Sequence, residues 1–164
     1  MLGVNRDGPL AGLRVAVFLG VDRGDEPVQK MSIAIDTNVL VRMLVHDDET
    51  QCAAVRRLVE QAEASNEPLL VPLCALMETE WVLRSRYRLD KASIAGAFAQ
   101  LLASSGLEFE HEATVEEALY VWAQHPSADF ADCLLCARSA HLGRSRFLTF
   151  DFGAAKLPRA ELLR

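Results

Sequence analysis

Four short apolar runs, Ser32–Ile35, Leu69–Val71, Leu107–Glu110 and Arg146–Phe150, constrain the fold more than anything else in the chain, because segments of helical periodicity separate each from the next. Strands that alternate with helices cannot pair as hairpins and are driven into a parallel sheet covered by helices. The expected class is therefore α/β, a three-layer α/β/α sandwich around a central, mainly parallel sheet of four to five strands. Helices are expected over Val39–Val45, from a cap at Asp48 to about Ala64, from Leu73 to about Tyr87, from a cap at Asp90 to about Ser104, over Val115–Gln124, and from Asp129 to His141. Asp48 with Gln51 and Thr114 with Glu117 have capping-box spacing.

Ser32–Ile35 stops abruptly at Asp36-Thr37-Asn38 before apolar residues resume. The carboxyl end of a strand is where ligands bind in an open α/β sheet, which makes Asp36 a candidate for chemistry. All three residue types also cap helices well, so a purely architectural role accounts for Asp36 equally well when it is considered alone. The fourth run likewise ends on an aspartate, Asp151. Asp129 and Asp132 are spaced i, i+3 and share a helix face that continues through Cys133, Cys136 and Ala140. Glu78 shares a face with Cys74, Ala75 and Trp81, which places it near the core side.

Carboxylates gathered at one sheet edge repel. Two unit charges about 5 Å apart cost on the order of 3 kcal/mol at an effective dielectric of roughly 20, so three or four need a counter-ion or must take up protons. All-oxygen ligands select Mg²⁺ or Mn²⁺ over zinc. The chemistry that fits is metal-assisted phosphodiester hydrolysis, which needs no nucleophilic side chain. A net charge of −6 argues against nucleic acid as a partner unless such a cation reshapes the local field.

The remaining features exclude more than they suggest. No apolar run is long enough to cross a bilayer. The four cysteines lie in apolar periodic segments, which favours a reducing cytoplasm over a disulfide framework. Cys133-x-x-Cys136 has no second cysteine pair or histidine cluster to complete a zinc site. Residues 1–30, rich in glycine, read as a dispensable or poorly ordered extension of a single domain over 31–164. Arg84, Arg86, Arg88, Arg144 and Arg146 either hold RNA phosphates or form solvated surface. Trp81 and Trp122 are expected in the core or a dimer contact, and Phe130 and Phe150 in the core. A haloacid-dehalogenase-type phosphatase would need an aspartate where Asn38 stands.

Ile35-Asp36-Thr37-Asn38, the run Met77 to Arg84, Ala128-Asp129-Phe130-Ala131-Asp132 and Thr149-Phe150-Asp151 together resemble a PIN-domain endoribonuclease, most closely the VapC-type toxins of toxin–antitoxin pairs, from Met31 to about Leu157. The resemblance implies that Asp36, Glu78 and Asp132 bind metal, with Glu80 as the rival glutamate. It implies that Asp129 and Asp151 are auxiliary acids, and that Thr37, Asn38 and Thr149 support them. It further implies Mg²⁺ or Mn²⁺, an RNA substrate, a homodimer and a small cognate antitoxin. A metal-free PIN-like module that binds RNA or protein is the alternative.

Overall fold

The computed structural model describes residues 33–164, and the expected extension over 1–30 lies outside them. The fold is α/β, in the order α1 (Thr37–Leu44), α2 (Glu49–Ser65), β1 (Leu69–Val71), α3 (Leu73–Ser85), α4 (Lys91–Leu102), β2 (Leu107–Phe109), α5 (Glu112–Gln124), α6 (Phe130–His141), β3 (Phe147–Thr149) and β4 (Ala160–Leu162). A single 3-10 turn, Ala154–Lys156, joins the last two strands.

Every strand pairing among the described residues is parallel. β1 pairs with β2 from Leu69↔Leu107 to Val71↔Phe109, and a bridge from Ala34 to Leu70 adds the first apolar run on the other side of β1. That run is held by Ile35 N–H donating to the Leu70 carbonyl at 2.9 Å and Leu70 N–H donating to Ile33 at 2.8 Å. The fourth run forms β3, which pairs with β4. The sheet is thus small and falls into two hydrogen-bonded pieces. β4 was not among the expected strands: Ala160-Glu161-Leu162 carries a single large apolar side chain, whereas β2, equally short and also centred on a glutamate, carries two.

One core lies behind these strands, with Leu40, Leu69, Val71, Leu76, Leu83, Ile94, Phe98, Val115 and Phe130 fully or almost fully buried. Phe130 meets Phe98 edge-on at 5.4 Å between ring centroids and Trp122 at 5.2 Å. This matters beyond packing. Phe130 is the first residue of α6, so its burial fixes the helix end that carries Asp129 and Asp132.

Local expectations held where one side chain decided them. Asp48 accepts from Gln51 N–H at 2.9 Å and Asp90 from Ser93 N–H at 2.8 Å, both as N-caps. The Thr114 capping box did not form. α5 begins earlier, at Glu112 behind His111 in the left-handed region, and Thr114 lies buried with its hydroxyl 3.1 Å from His141 Nδ1. Glu117 meets His141 Nε2 at 2.8 Å instead of reaching back to a cap, so the motif was diverted into joining α5 to α6.

One aromatic expectation also fails. Trp122 is buried as expected, and Trp81, expected in the core or a dimer contact, is exposed in the single chain. Phe150, expected in the core, is exposed, because β3 ends at Thr149 and the chain turns away from the sheet there.

Candidate functional site

Ile35 is buried in the core and Asp36 follows it into solvent. The Asp36 side chain accepts from Val39 N–H at 3.0 Å, so it does cap α1. The cap occupies Oδ1 alone among the described hydrogen bonds, which makes the capping and chemical readings compatible. In the next position Thr37 Oγ1 donates to Glu78 Oε2 at 2.6 Å, tying the head of α1 to the middle of α3. Asp36, Thr37 and Glu78, with Ile35, Pro72, Cys74 and Ala75, line a cleft of about 400 Å³.

Glu78 is exposed in that cleft, against the expectation that its helix face points to the core. Its rival Glu80 is the buried one, 3% exposed, and is engaged by Arg84 Nε at 2.8 Å. Two residues along a helix reverse direction by roughly 200°, so one glutamate opens to the cleft while the other is spent inside. Asn38 is exposed in the first turn of α1.

The second group of acids is gathered by the loop before α6 and the turn after β3. Asp36, Asp48 and Asp90 stand at helix N-caps and use their side chains there, whereas Asp129, at the N-cap of α6, makes no side-chain cap bond. Three contacts fix the loop that carries it. Trp122 Nε1 donates to the Ala128 carbonyl at 3.1 Å, and Lys91 Nζ to the His125 carbonyl at 2.9 Å. Gly153 is the third: a Cβ there would fall 2.3 Å from the Ser127 carbonyl oxygen and 3.0 Å from Asp151 Oδ1, so only glycine lets the two loops approach this closely.

Asp151 is held from both sides. Its N–H donates to Thr149 Oγ1 at 3.0 Å, and its Oδ1 accepts from Ala154 N–H at 2.7 Å. Thr149 therefore supports Asp151, through the backbone rather than the carboxylate.

Asp132, half-buried in the first turn of α6, has its carboxyl pushed above the usual carboxylate range. Burial is the largest cause, followed by the charges of Asp151 and then Asp129. Like charges this close disfavour the ionised form. The neighbouring Cys133 thiol is pushed up to about 12, mainly by burial, and is inert as a nucleophile or redox group.

The structure thus brings Asp36 together with Glu78, and Asp132 together with Asp129 and Asp151. Among the described residues, no three His, Cys, Asp or Glu side chains stand close enough to one another to hold one ion. The fit to a divalent cation lies in the chemistry: carboxylate oxygens only, with Asp132 under the negative charge of Asp151 and Asp129. Sequence reading missed one acid at this edge, Glu110, just past β2. Its Oε2 accepts from Leu73 N–H at 2.9 Å and caps α3 across the sheet. Only strand register could have revealed it.

Two of the arginines expected to hold RNA phosphates or to form solvated surface are engaged in ion pairs while still facing solvent. Arg84 is bound to Glu80, and Arg146 lies against Glu161 in a two-point pair. No helix among the described residues is long and apolar enough to cross a membrane. A family model described as PIN domain matches residues 33–160. No curated protein matches the chain.

Proposed function

Because the chain belongs to the PIN domain family, whose members are generally nucleases, we propose that it is a metal-dependent endoribonuclease, in which Asp36, Glu78 and Asp132 hold Mg²⁺ or Mn²⁺ and Asp129 and Asp151 assist. The observation that carries this reading is Asp132, half-buried and crowded by two further carboxylates, Asp151 and Asp129. In a fold stabilised only by its own contacts such crowding is a cost, and a bound cation turns it into affinity.

Bound Mg²⁺ or Mn²⁺ would lower the pKa of the attacking water and offset charge on the phosphoryl oxygens. The chain's own residues do the rest. The α1 cap fixes the rotation of Asp36, and the Thr37 hydroxyl fixes that of Glu78. Thr149 and the Ala154 amide fix Asp151, and buried Phe130 fixes the head of α6. Positioned carboxylates of this kind lose little freedom when they engage a ligand.

Toxin function, inhibition by a small cognate antitoxin, a homodimeric state and a cytoplasmic location belong to the same proposal, and the likeness to VapC-type sequences supports them. The second reading, a metal-free module that binds RNA or protein, is favoured by the separation of the acids into two groups.

The two part on one experiment: cleavage of a mixed RNA pool with Mg²⁺, Mn²⁺ or EDTA, by wild type and Asp36→Asn. Metal-dependent cleavage that falls at least about 100-fold in the variant supports the nuclease, since loss of a ligand costs more than loss of its outer-shell support. RNA left intact by folded, antitoxin-free protein with either metal, or cut equally by the variant, moves the binding module to the front.

A further inference from the structure

Phe150 and Phe152 are 74% and 75% exposed, whereas Phe98, Phe109 and Phe130 are buried. Two large rings left in water cost the fold most of the roughly 1.5–3 kcal/mol that burying each would return. They stand immediately before and after Asp151, one of the acids crowding Asp132. The segment that carries them is held at both ends: Asp151 N–H, between the rings, donates to Thr149 Oγ1, and just past Phe152 the Ala154 N–H donates to Asp151 Oδ1 and Gly153 approaches Ser127 closely.

We propose that Phe150 and Phe152 form a stacking platform for the bases of single-stranded RNA, holding the strand across Asp151. This rests on the nuclease reading and adds how the substrate is held. Without a bound cation phosphate is a poor handle at this edge, since Asp129, Asp132 and Asp151 repel it and Arg146, the cation nearest in sequence before the turn, is paired with Glu161, which leaves the exposed Lys156 beyond the turn. The chain as a whole carries −6. An aromatic face binds any base without needing opposite charge, so rings beside an acidic centre supply affinity that does not depend on lysine or arginine. The platform therefore favours unpaired segments, whose bases can leave their own stack.

The test is equilibrium binding of a fluorescein-labelled, mixed-sequence single-stranded RNA in EDTA, where cleavage is suppressed, by the full chain and by Phe150→Leu, Phe152→Leu, the double leucine variant and Phe150→Trp. Leucine keeps apolar bulk and removes the π face. Each leucine variant is expected to weaken binding about tenfold. Phe150→Trp should bind at least as tightly as wild type, and an abasic oligonucleotide should bind all variants alike.

Leucine variants that bind as wild type, or a double variant whose sedimentation shows a lost dimer with unchanged RNA affinity, overturn the platform and assign the rings to contact between copies. The two readings fail separately. If wild type cuts RNA with metal and the leucine variants bind normally, only the platform falls. If wild type neither cuts nor binds, both fall.

Discussion

Asp47 and Asp132 lie in the same domain under opposite conditions. Asp47 receives the Tyr87 hydroxyl at 2.6 Å and Arg42 Nη1 at 2.8 Å, and its carboxyl is held below the usual range, first by Tyr87 and then, against desolvation, by Arg42. Arg42 also donates from Nε to Gln51 at 2.7 Å, so the group closes on itself and joins α1, α2 and the end of α3. Around Asp132 the neighbours are carboxylates and the shift is upward. In the first arrangement a cation and a hydroxyl favour the charged carboxylate, and in the second the neighbouring carboxylates disfavour it. A half-buried carboxyl raised by burial and by two neighbouring carboxylates, in a chain that pairs others, points to use rather than to architecture.

The largest expected effect comes from the two glutamates of α3, which fall on opposite sides of this divide. Glu80 is buried and paired with Arg84, whereas Glu78 meets the neutral Thr37 hydroxyl in the open cleft. Glu78→Gln should lower metal-dependent RNA cleavage by at least about 100-fold and leave the thermal midpoint nearly unchanged. Glu80→Gln should do the reverse in stability, costing about 1–3 kcal/mol in urea unfolding because the buried hydrogen bond to Arg84 loses its charge. The comparison breaks if Glu80→Gln abolishes cleavage with stability intact.

Gly153 tests whether the cluster around Asp132 is held together by force. Its φ of −72° is open to any residue, so the constraint is steric, the Ser127 carbonyl being 2.3 Å from a Cβ. Gly153→Ala should push the Ser127–Asp129 loop away from Asp151, at a cost of about 1–3 kcal/mol from overpacking. A misplacement of about 1 Å at a reacting centre can cost about 100-fold, so cleavage should fall by about 10- to 100-fold. Unchanged kcat with unchanged unfolding would show that the loops need not approach.

Much of this was legible in the residues and some of it could not be. The strand ends at Asp36 and Asp151 and the i, i+3 pair Asp129 and Asp132 show in one dimension, because a break in an apolar run and a helical spacing are local. The direction of Glu78 did not show: its face also carries Ala75, which is buried, and Cys74, which is exposed, so periodicity alone had no sign to give. Thr114 carried the right spacing for a cap and lost it to His141, twenty-seven residues away, a competitor visible only once α5 lies on α6. Phe150 reads as core by composition, and its exposure depends on where β3 stops. The role of Gly153 required knowing that Ser127 comes to meet it.

The smallest effect lies on the paired side, at Asp47. Tyr87→Phe deletes one hydroxyl, the largest influence lowering Asp47, and leaves Arg42 in place. A carboxylate whose folded pKa is depressed contributes stability that is fully present above the unfolded value, near 3.8, and is lost as pH falls through the lower folded value. Removing the hydroxyl should therefore move the Asp47 titration up toward the ordinary range without reaching it, since Arg42 still favours the charged form. Stability at neutral pH should change by less than loss of a buried bond would cause, because Asp47 is exposed and its pairing is screened by water. Carbon-detected NMR titration of the Asp47 carboxyl in both proteins reads this directly. An unmoved midpoint would assign the depression to Arg42 alone, and the contrast with Asp132 would then be one of cation against carboxylates, with the hydroxyl irrelevant.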